Sequence, residues 1–327
     1  MKLLIVIVNY RTPDLTIDCL RSLTAEGLPT DAFRTVVVDN ASGDDSLVKI
    51  RAAVAAQGWN SWVDTIDAGR NGGFAFGNNV AIRPALASAD PPEFVLLLNS
   101  DTVVRPAAVQ TLIQFLEQHP QVGIVGSRLE DPDGTPQCSA FRFPSPASEF
   151  AEAAGLGFVD RLLHRYVILP GIPNETCPMP WVAGASMLIR RQVFDDVGLM
   201  DEGYFLYYEE VDFCLRAARA GHPCWYEPTS RVVHLVGQSS GVTERNAAPR
   251  RRPAYWFDSR RRYFVKNHGR AYAAIVDAAW SVGYAIRRVR NFLQRRPSVD
   301  PPRLFSDYLK QSVFVRGFRL GDAAGAR

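Results

Sequence analysis

Phe94-Val95-Leu96-Leu97-Leu98-Asn99-Ser100-Asp101 is the stretch from which the fold is read. Five apolar residues in a row, stopped by polar ones, spell a strand buried on both faces, since a half-exposed strand would alternate. Ligands of open α/β sheets bind just beyond the carboxyl ends of such strands. A carboxylate there can hold a divalent cation against a substrate phosphate, because Mg²⁺ is usually bound by one or two carboxylates plus phosphate oxygens. Asp and Ser are also ordinary turn and cap residues, so the triplet alone reads either as a metal-bearing strand end or as a helix cap.

Outward from this strand the chain alternates. Leu3 to Val8 is an apolar run; Thr12-Pro13 then reads as N-cap and first residue of a helix with Leu15, Cys19 and Leu23 on one face. Val36 to Val38 is a second strand ending in Asp39-Asn40, and Ser42 with Asp45 resembles a capping box for a helix to about Gln57. Val63 to Ile66 is a weaker third strand. Asn71-Gly72-Gly73-Phe74-Ala75-Phe76-Gly77 leads into a helix over Asn78 to Leu86. After the Phe94 strand, a helix from Pro106 to Gln118 and a strand over Val122 to Val125 are expected. Strands alternating with helices of this length predict βαβ units: an α/β fold with a Rossmann-like, mostly parallel twisted sheet and helices on both faces. A Pro- and Gly-rich connection up to Pro180 breaks the alternation. A strand from Trp181 to Ile189, a helix from Glu209 to Ala220, and apolar pieces at Cys224 to Tyr226 and Val232-Val233 follow.

The 327 residues, 47% of them apolar, suffice for a large α/β domain with an appendage. Five cysteines without a CxxC point away from a disulfide framework or zinc site and toward a reducing, cytoplasmic compartment. The apolar run before Asn9 is too short for the core of a signal peptide and reads as strand one. The net charge of +3 hides an asymmetry: residues 245–327 carry +14 and the remainder −11. The chain is accordingly divided into a domain over 1–244 and a basic, aromatic-rich helical region over 245–327. A basic tail on an acidic body suggests that the tail meets something anionic, a membrane surface or nucleic acid, or else is a solvated basic face with no partner.

The first strand is followed by Asn9-Tyr10-Arg11-Thr12, not by GxGxxG or a Walker loop, which counts against dinucleotide binding. The Gly72 to Gly77 segment lets backbone approach a phosphate at a helix N-terminus, or makes a plain turn. Asp39 can accept from a nucleobase N–H or cap its own turn. Phe205 to Arg216 places Glu209, Glu210 and Asp212 where aromatic residues become a helix. Glu209 and Asp212 share a helix face and Glu210 projects about 100° away, so the two glutamates are expected to differ in role. Carboxylates crowded among aromatic rings have raised pKa values, which suits a general base; acids in a first helical turn also simply offset the helix dipole. His234 follows Val232-Val233 and reads as a structural histidine or a ligand.

Together these segments resemble the inverting GT-A glycosyltransferases of family 2, and within them the bacterial rhamnosyltransferase-like branch. The resemblance rests on Val6-Ile7-Val8-Asn9-Tyr10, Val37-Val38-Asp39-Asn40-Ala41-Ser42, Asn71-Gly72-Gly73-Phe74-Ala75 with Gly77-Asn78-Asn79, Leu97-Leu98-Asn99-Ser100-Asp101, Trp181-Val182-Ala183-Gly184-Ala185 and Tyr208-Glu209-Glu210-Val211-Asp212, in the family's order. It covers residues 1 to about 240. It implies that Asn9, Asp39, Asn71 and Asn99 lie on the nucleotide-sugar donor, and that Asn99-Ser100-Asp101 replaces the family's DxD. Asp101 and His234 would then hold a divalent cation, Mg²⁺ or Mn²⁺, on the diphosphate. Glu210 matches the base that deprotonates the acceptor hydroxyl, with Trp181, Gly184, Glu209 and Asp212 on the acceptor or sugar side. Two departures stand out: Asn99 takes the place of the first DxD aspartate, and a glutamate stands where the base is commonly aspartate.

The resemblance further implies a donor such as dTDP-rhamnose, with UDP-galactofuranose or a UDP-hexose as alternatives, and a saccharide or lipid-linked saccharide acceptor in cell-envelope polysaccharide synthesis. In the tail, Ala271 to Ile286 is apolar except for Asp277 and precedes Arg287-Arg288-Val289-Arg290. As a helix of about 24 Å it is short for a membrane span. Peripheral attachment to the anionic inner face of the plasma membrane is expected, with homo-oligomerisation through the same helices as the competitor. The readings of another class are a noncatalytic nucleotide-sugar binder and, from the arginine clusters, a nucleic-acid-binding protein. Nucleic acid is not an expected partner, since no recognition module accompanies the arginines.

Overall fold

The computed structural model describes residues 1–29, 32–235, 250–297 and 300–321, so the expected boundary at 244/245 lies outside the described residues. The first half runs β1 (Leu3–Asn9), α1 (Pro13–Thr24), β2 (Phe33–Asp39), α2 (Ser46–Ala56), β3 (Val63–Asp67), α3 (Gly73–Leu86), β4 (Phe94–Asn99), β5 (Thr102–Val104), α4 (Ala108–Gln118) and β6 (Ile124–Glu130). Then come β7 (Ala140–Phe141), α5 (Pro146–Ala154), α6 (Gly157–Leu162), β8 (Cys177–Pro178), β9 (Trp181–Val182), β10 (Ser186–Arg190), α7 (Arg191–Val197), α8 (Glu209–Arg219) and β11 (Cys224–His234). Four helices end the described chain: α9 (Ala254–His268), α10 (Arg270–Leu293), α11 (Leu304–Gln311) and α12 (Val313–Arg316).

The central sheet has the order β3-β2-β1-β4-β10-β6-β11-β5, with β8 paired to β11. The expectation of a buried β4 is met: Phe94 to Leu98 are at most 1% exposed. Period-two alternation sends Ile5, Ile7, Leu96 and Leu98 into a core with α1, α2 and α4, while Leu4, Val6, Val95 and Leu97 pack against α3, α7 and α8. The helices therefore lie on both faces. The sheet is more mixed than expected: β1, β2, β3 and β4 are parallel, but β10 inserts antiparallel between β4 and β6.

Several expected boundaries shift for local reasons. Ser42 does not cap α2, because its hydroxyl donates to Asp39 and leaves Asp45 as the N-cap. Helix α3 starts at Gly73, inside the glycine loop, and α4 starts at Ala108 after the short strand β5. The expected Trp181 to Ile189 strand divides into β9, which pairs with β7, and β10 in the main sheet. The two apolar pieces near Cys224 and Val232 are one strand, β11, irregular between Glu227 and Arg231. The Pro-rich connection contains α5 and α6.

The basic tail region is helical and shares its core with the body: Tyr204, Val211 and Leu215 pack with Tyr263, Phe264, Val276 and Val313. Helix α10 lies on α5 so closely that a Cβ on Gly283 would be 2.7 Å from the Phe150 carbonyl oxygen. Asp277, the charge inside the apolar stretch, faces inward. It pairs with buried Arg260, which also binds Glu149 of α5, and accepts from the Tyr308 hydroxyl and the Val313 N–H. No helix among the described residues is long and apolar enough to cross a membrane.

Candidate active site

A cavity of about 460 Å³ opens at the carboxyl end of β4, where Asn99, Ser100 and Asp101 form part of its lining. Asp101 is 6% exposed, and its Oδ1 lies 3.4 Å from Nε2 of His234, at the end of β11. The same imidazole nitrogen is 3.4 Å from Asn99 Nδ2, and the Leu235 N–H donates to the Asp101 carbonyl. The two strand ends are thus tied together at Asp101. Ser100, given no role from sequence, exchanges a hydrogen bond with Thr12, whose hydroxyl reaches Asn9.

Behind this lining, Asp39 accepts from the Ser42 N–H and hydroxyl and from Asn9 Nδ2, while Asn9 Oδ1 accepts from Thr16. Asn9 and Asp39 are buried and do not line the cavity; their neighbour Asn40 does. Asn40 Nδ2 donates to Asn71 Oδ1 and to the Gly73 carbonyl, and the Gly73 N–H donates to Asn71 Oδ1, which fixes the glycine loop at the cavity wall. Asn40 Oδ1 is buried with no hydrogen-bond partner. Asn40 stood inside a motif noted from sequence but was not chosen from it.

Glu209 and Glu210 open α8 after two residues in the left-handed region, Tyr207 (φ 70°) and Tyr208 (φ 69°). Non-glycine residues seldom adopt this conformation, and its cost is of order 1–3 kcal/mol each. The turn aims both glutamates into the cavity. Each has a buried Oε2 without a hydrogen-bond partner. Burial pushes Glu210 up to about 7, and burial together with the neighbouring Glu210 charge holds Glu209 well above the ordinary carboxyl range. The 100° between the two glutamates does not send them to different places: at a helix end both reach the same space.

Asp212 and Trp181 lie elsewhere. Asp212 is 0% exposed and accepts from Tyr204, Arg216, Lys266 and Asn267, joining α8 to α9. Trp181 donates its indole N–H to the Arg142 carbonyl and stacks on Phe141, with ring centroids 4.2 Å apart. Gly184 does line the cavity, and a Cβ there would be 3.1 Å from the Phe74 ring and 3.9 Å from Glu210 Cβ. The remaining wall is aromatic: Phe205, Tyr207 and, from α9, Tyr255, whose ring is 5.2 Å from that of Phe205. Tyr255 carries no motif, and sequence offered no signal for it.

Among the described residues no three His, Cys, Asp or Glu side chains converge as a complete metal site. The donors at Asp101 nevertheless fit a cation shared with a diphosphate: adjacent octahedral ligands at about 2.1 Å from a metal are about 3 Å apart, near the spacing of Asp101 and His234.

Residues 2–252 match the profile described as Glycosyltransferase like family 2. The chain belongs to this family. Its relatives include a low-salt glycan biosynthesis hexosyltransferase, Agl10, of Haloferax volcanii, 30% identical over 66% of this chain and 61% of that one. The N-acetylglucosaminyl-diphospho-decaprenol L-rhamnosyltransferase of Mycobacterium tuberculosis is 32% identical over 46% and 49%. The chain thus spans about half to three-fifths of the length of these curated relatives. Rhamnosyltransferase WbbL of Escherichia coli is 27% identical over 71% and 83%. In fold, this family 2 chain is similar to the GT-A mannosyltransferase PcManGT from Pyrobaculum calidifontis, solved with GDP-Man and Mn²⁺, at a TM-score of 0.56 and 15% identity over 90% and 75%.

Proposed function

We propose that this family 2 protein is an inverting hexosyltransferase that moves L-rhamnose from dTDP-rhamnose to a hydroxyl of a saccharide or lipid-linked saccharide. One observation carries the reading: the Asp101–His234 pair and the Glu209 and Glu210 carboxyls, each with an unpartnered Oε2, share a single cavity. The rhamnose donor draws its support from the two relatives named as rhamnosyltransferases. Synthesis of a cell-envelope polysaccharide at the cytoplasmic face of the plasma membrane is the setting this implies.

Asp101 and His234, with Asn99 beside them, would hold the divalent cation, Mg²⁺ or Mn²⁺. When bound, it supplies positive charge to the leaving diphosphate. Asn40, Asn71 and Gly73 present amide groups to the donor, while the buried Asn9–Asp39–Ser42 cluster keeps that wall in place. Two adjacent buried carboxyls do not ionise together easily. The pair then holds one proton, and Glu210, in the position that the family resemblance gives the base, takes the proton from the acceptor hydroxyl in its ionised form as that oxygen attacks the anomeric carbon. Attack on the face away from the departing diphosphate inverts the centre. Trp181 and Asp212 act at one remove, by shaping β9 and anchoring α8.

A panel of nucleotide sugars, each with and without Mn²⁺, tests the reading by thermal unfolding and turnover. The true donor raises the melting temperature by ligand linkage. Stabilisation by UDP-galactofuranose or a UDP-hexose alone would replace the rhamnose assignment. Binding without turnover on any acceptor would favour a noncatalytic binder.

A further inference from the structure

Helix α10 has two apolar sides. Ala273, Val276, Trp280 and Tyr284 are buried against the body. Ile275, Val282, Ile286, Val289 and Leu293 follow one another at spacings of seven, four, three and four, and so form a second stripe, about 27 Å long, on the opposite side. All five are exposed, Val289 by 60% and Leu293 by 74%. Between Ala271 and Ile286 the only charged residue is Asp277, and it faces inward, so four turns of solvent-facing helix carry no charge. At the end of the stripe the composition changes: residues 287–296 contain five arginines and no acidic residue.

A second apolar segment joins this end. Arg290 donates to the Gly155 carbonyl, and a Cβ on Gly155 would meet Arg287 and Arg290. Three residues beyond Gly155, Phe158 is 70% exposed and Leu162 78%, with exposed Arg161 and Arg165 in the same segment. Phe292 at the neighbouring end of α10 is 82% exposed. Apolar patches rimmed by cations are the signature of attachment to a lipid interface, where the side chains enter the headgroup boundary and arginines meet anionic lipid.

We propose that segment 156–166 and the solvent face of α10 together form the docking surface of this enzyme for an anionic lipid bilayer. The charge pattern selects this occupant over a second copy of the chain. An isologous dimer through this end would bring Arg288, Arg290, Arg295 and Arg296 close to their own copies, with no acid among residues 287–296, Asp300 already bound by Arg287, and Asp160 the one acid of segment 156–166. The inference goes beyond the proposed transfer reaction and does not depend on the donor or acceptor.

Flotation of the full chain with vesicles of phosphatidylglycerol and phosphatidylcholine, against vesicles of phosphatidylcholine alone, tests it with no sugar nucleotide present. The expected result is binding to the anionic vesicles only, weakened by raised salt. The double substitution Phe292→Asp with Leu293→Asp, and separately Phe158→Asp, should each lower partitioning at least about tenfold while leaving the melting temperature unchanged. Absence of vesicle binding, equal binding to neutral vesicles, or unaltered binding by both variants overturns the proposal. So does a wild-type dimer that the same substitutions convert to monomer without vesicle binding.

Discussion

Gly73 and Phe205 meet backbone to backbone: a Cβ on Gly73 would lie 1.8 Å from the Phe205 carbonyl oxygen, which accepts the Phe74 N–H at 2.9 Å. This contact pins the start of α3, on the glycine-loop wall, to the segment that carries Glu209 and Glu210. Gly73 also has φ 86°, a conformation costing an L-residue about 1–2 kcal/mol. Gly73→Ala should therefore lower the melting temperature by several degrees and reduce donor binding and turnover together. An unchanged melting curve would show that the two backbones are not in contact.

Asp101 and Glu210 should fail differently when changed. Glu210→Gln keeps the size of the side chain but removes its basicity, so turnover should fall about 10²- to 10⁴-fold while the donor still raises the melting temperature. Asp101→Asn should weaken donor binding itself, and with it the response to Mn²⁺. Isothermal titration with the donor, run beside turnover assays, separates the two outcomes. Full activity in Glu210→Gln would remove the base assignment.

The raised carboxyl also links activity to stability through pH. As the proposed base, Glu210 would have to be ionised, so kcat/KM should rise with pH through an acidic limb centred near 7. Its folded pKa lies above the ordinary value of 4.5. Its contribution to stability is therefore complete below that value and is lost as pH rises toward 7. Glu210→Gln has no such loss. The variant should melt above wild type at pH 8 and show no such advantage near pH 4, as thermal scans across pH would reveal.

Asp212 gathers one hydroxyl and three nitrogen donors in a site with no solvent exposure. Asp212→Ala leaves the Tyr204 hydroxyl and Asn267 without their acceptor and takes one partner from Arg216 and from Lys266, which keep the Val197 and Leu199 carbonyls and Asp201, a loss of about 1.5–3 kcal/mol. Thermal unfolding should show a large loss, and below the melting transition turnover per folded molecule should stay close to wild type. A selective loss of turnover at full stability would return Asp212 to the chemistry.

What sequence could show here depended on how local the cause was. Continuous apolar runs made β1 and β4 readable, and Pro13 marked the start of α1. The strands β5, β7, β8 and β9 have only two or three residues each, too few to show a period, and they exist through pairing with distant partners. The helical period correctly separates Glu210 from the face shared by Glu209 and Asp212. It could not tell that the cavity lies against the open end of α8, where Glu209 and Glu210 both reach it and Asp212, one turn in, points to α9. Asn9 and Asp39 were visible as strand-end polar residues, but only tertiary packing puts them behind Asn40 instead of at the surface of the cavity.

Tyr255 is the clearest case of a site residue set by tertiary structure. It comes from α9, beyond the 2–252 family match, yet it lines the cavity beside Phe205 and Tyr207, with rings 5.2 and 6.3 Å away. An aromatic wall on the side of Glu210 suits the apolar face of an acceptor ring, which would stack there while its hydroxyl turns to the carboxylate. Tyr255→Ala should then raise the acceptor KM about tenfold, the worth of one aromatic contact of about 1.4 kcal/mol. Donor affinity should not move, because the Asp101 and Asn40 side of the cavity is untouched. Tyr255→Phe keeps the ring and should behave nearly as wild type. Initial-rate kinetics with each substrate varied in turn decide the matter: a parallel loss of donor affinity in Tyr255→Ala would mean that Tyr255 only holds α9 against the body.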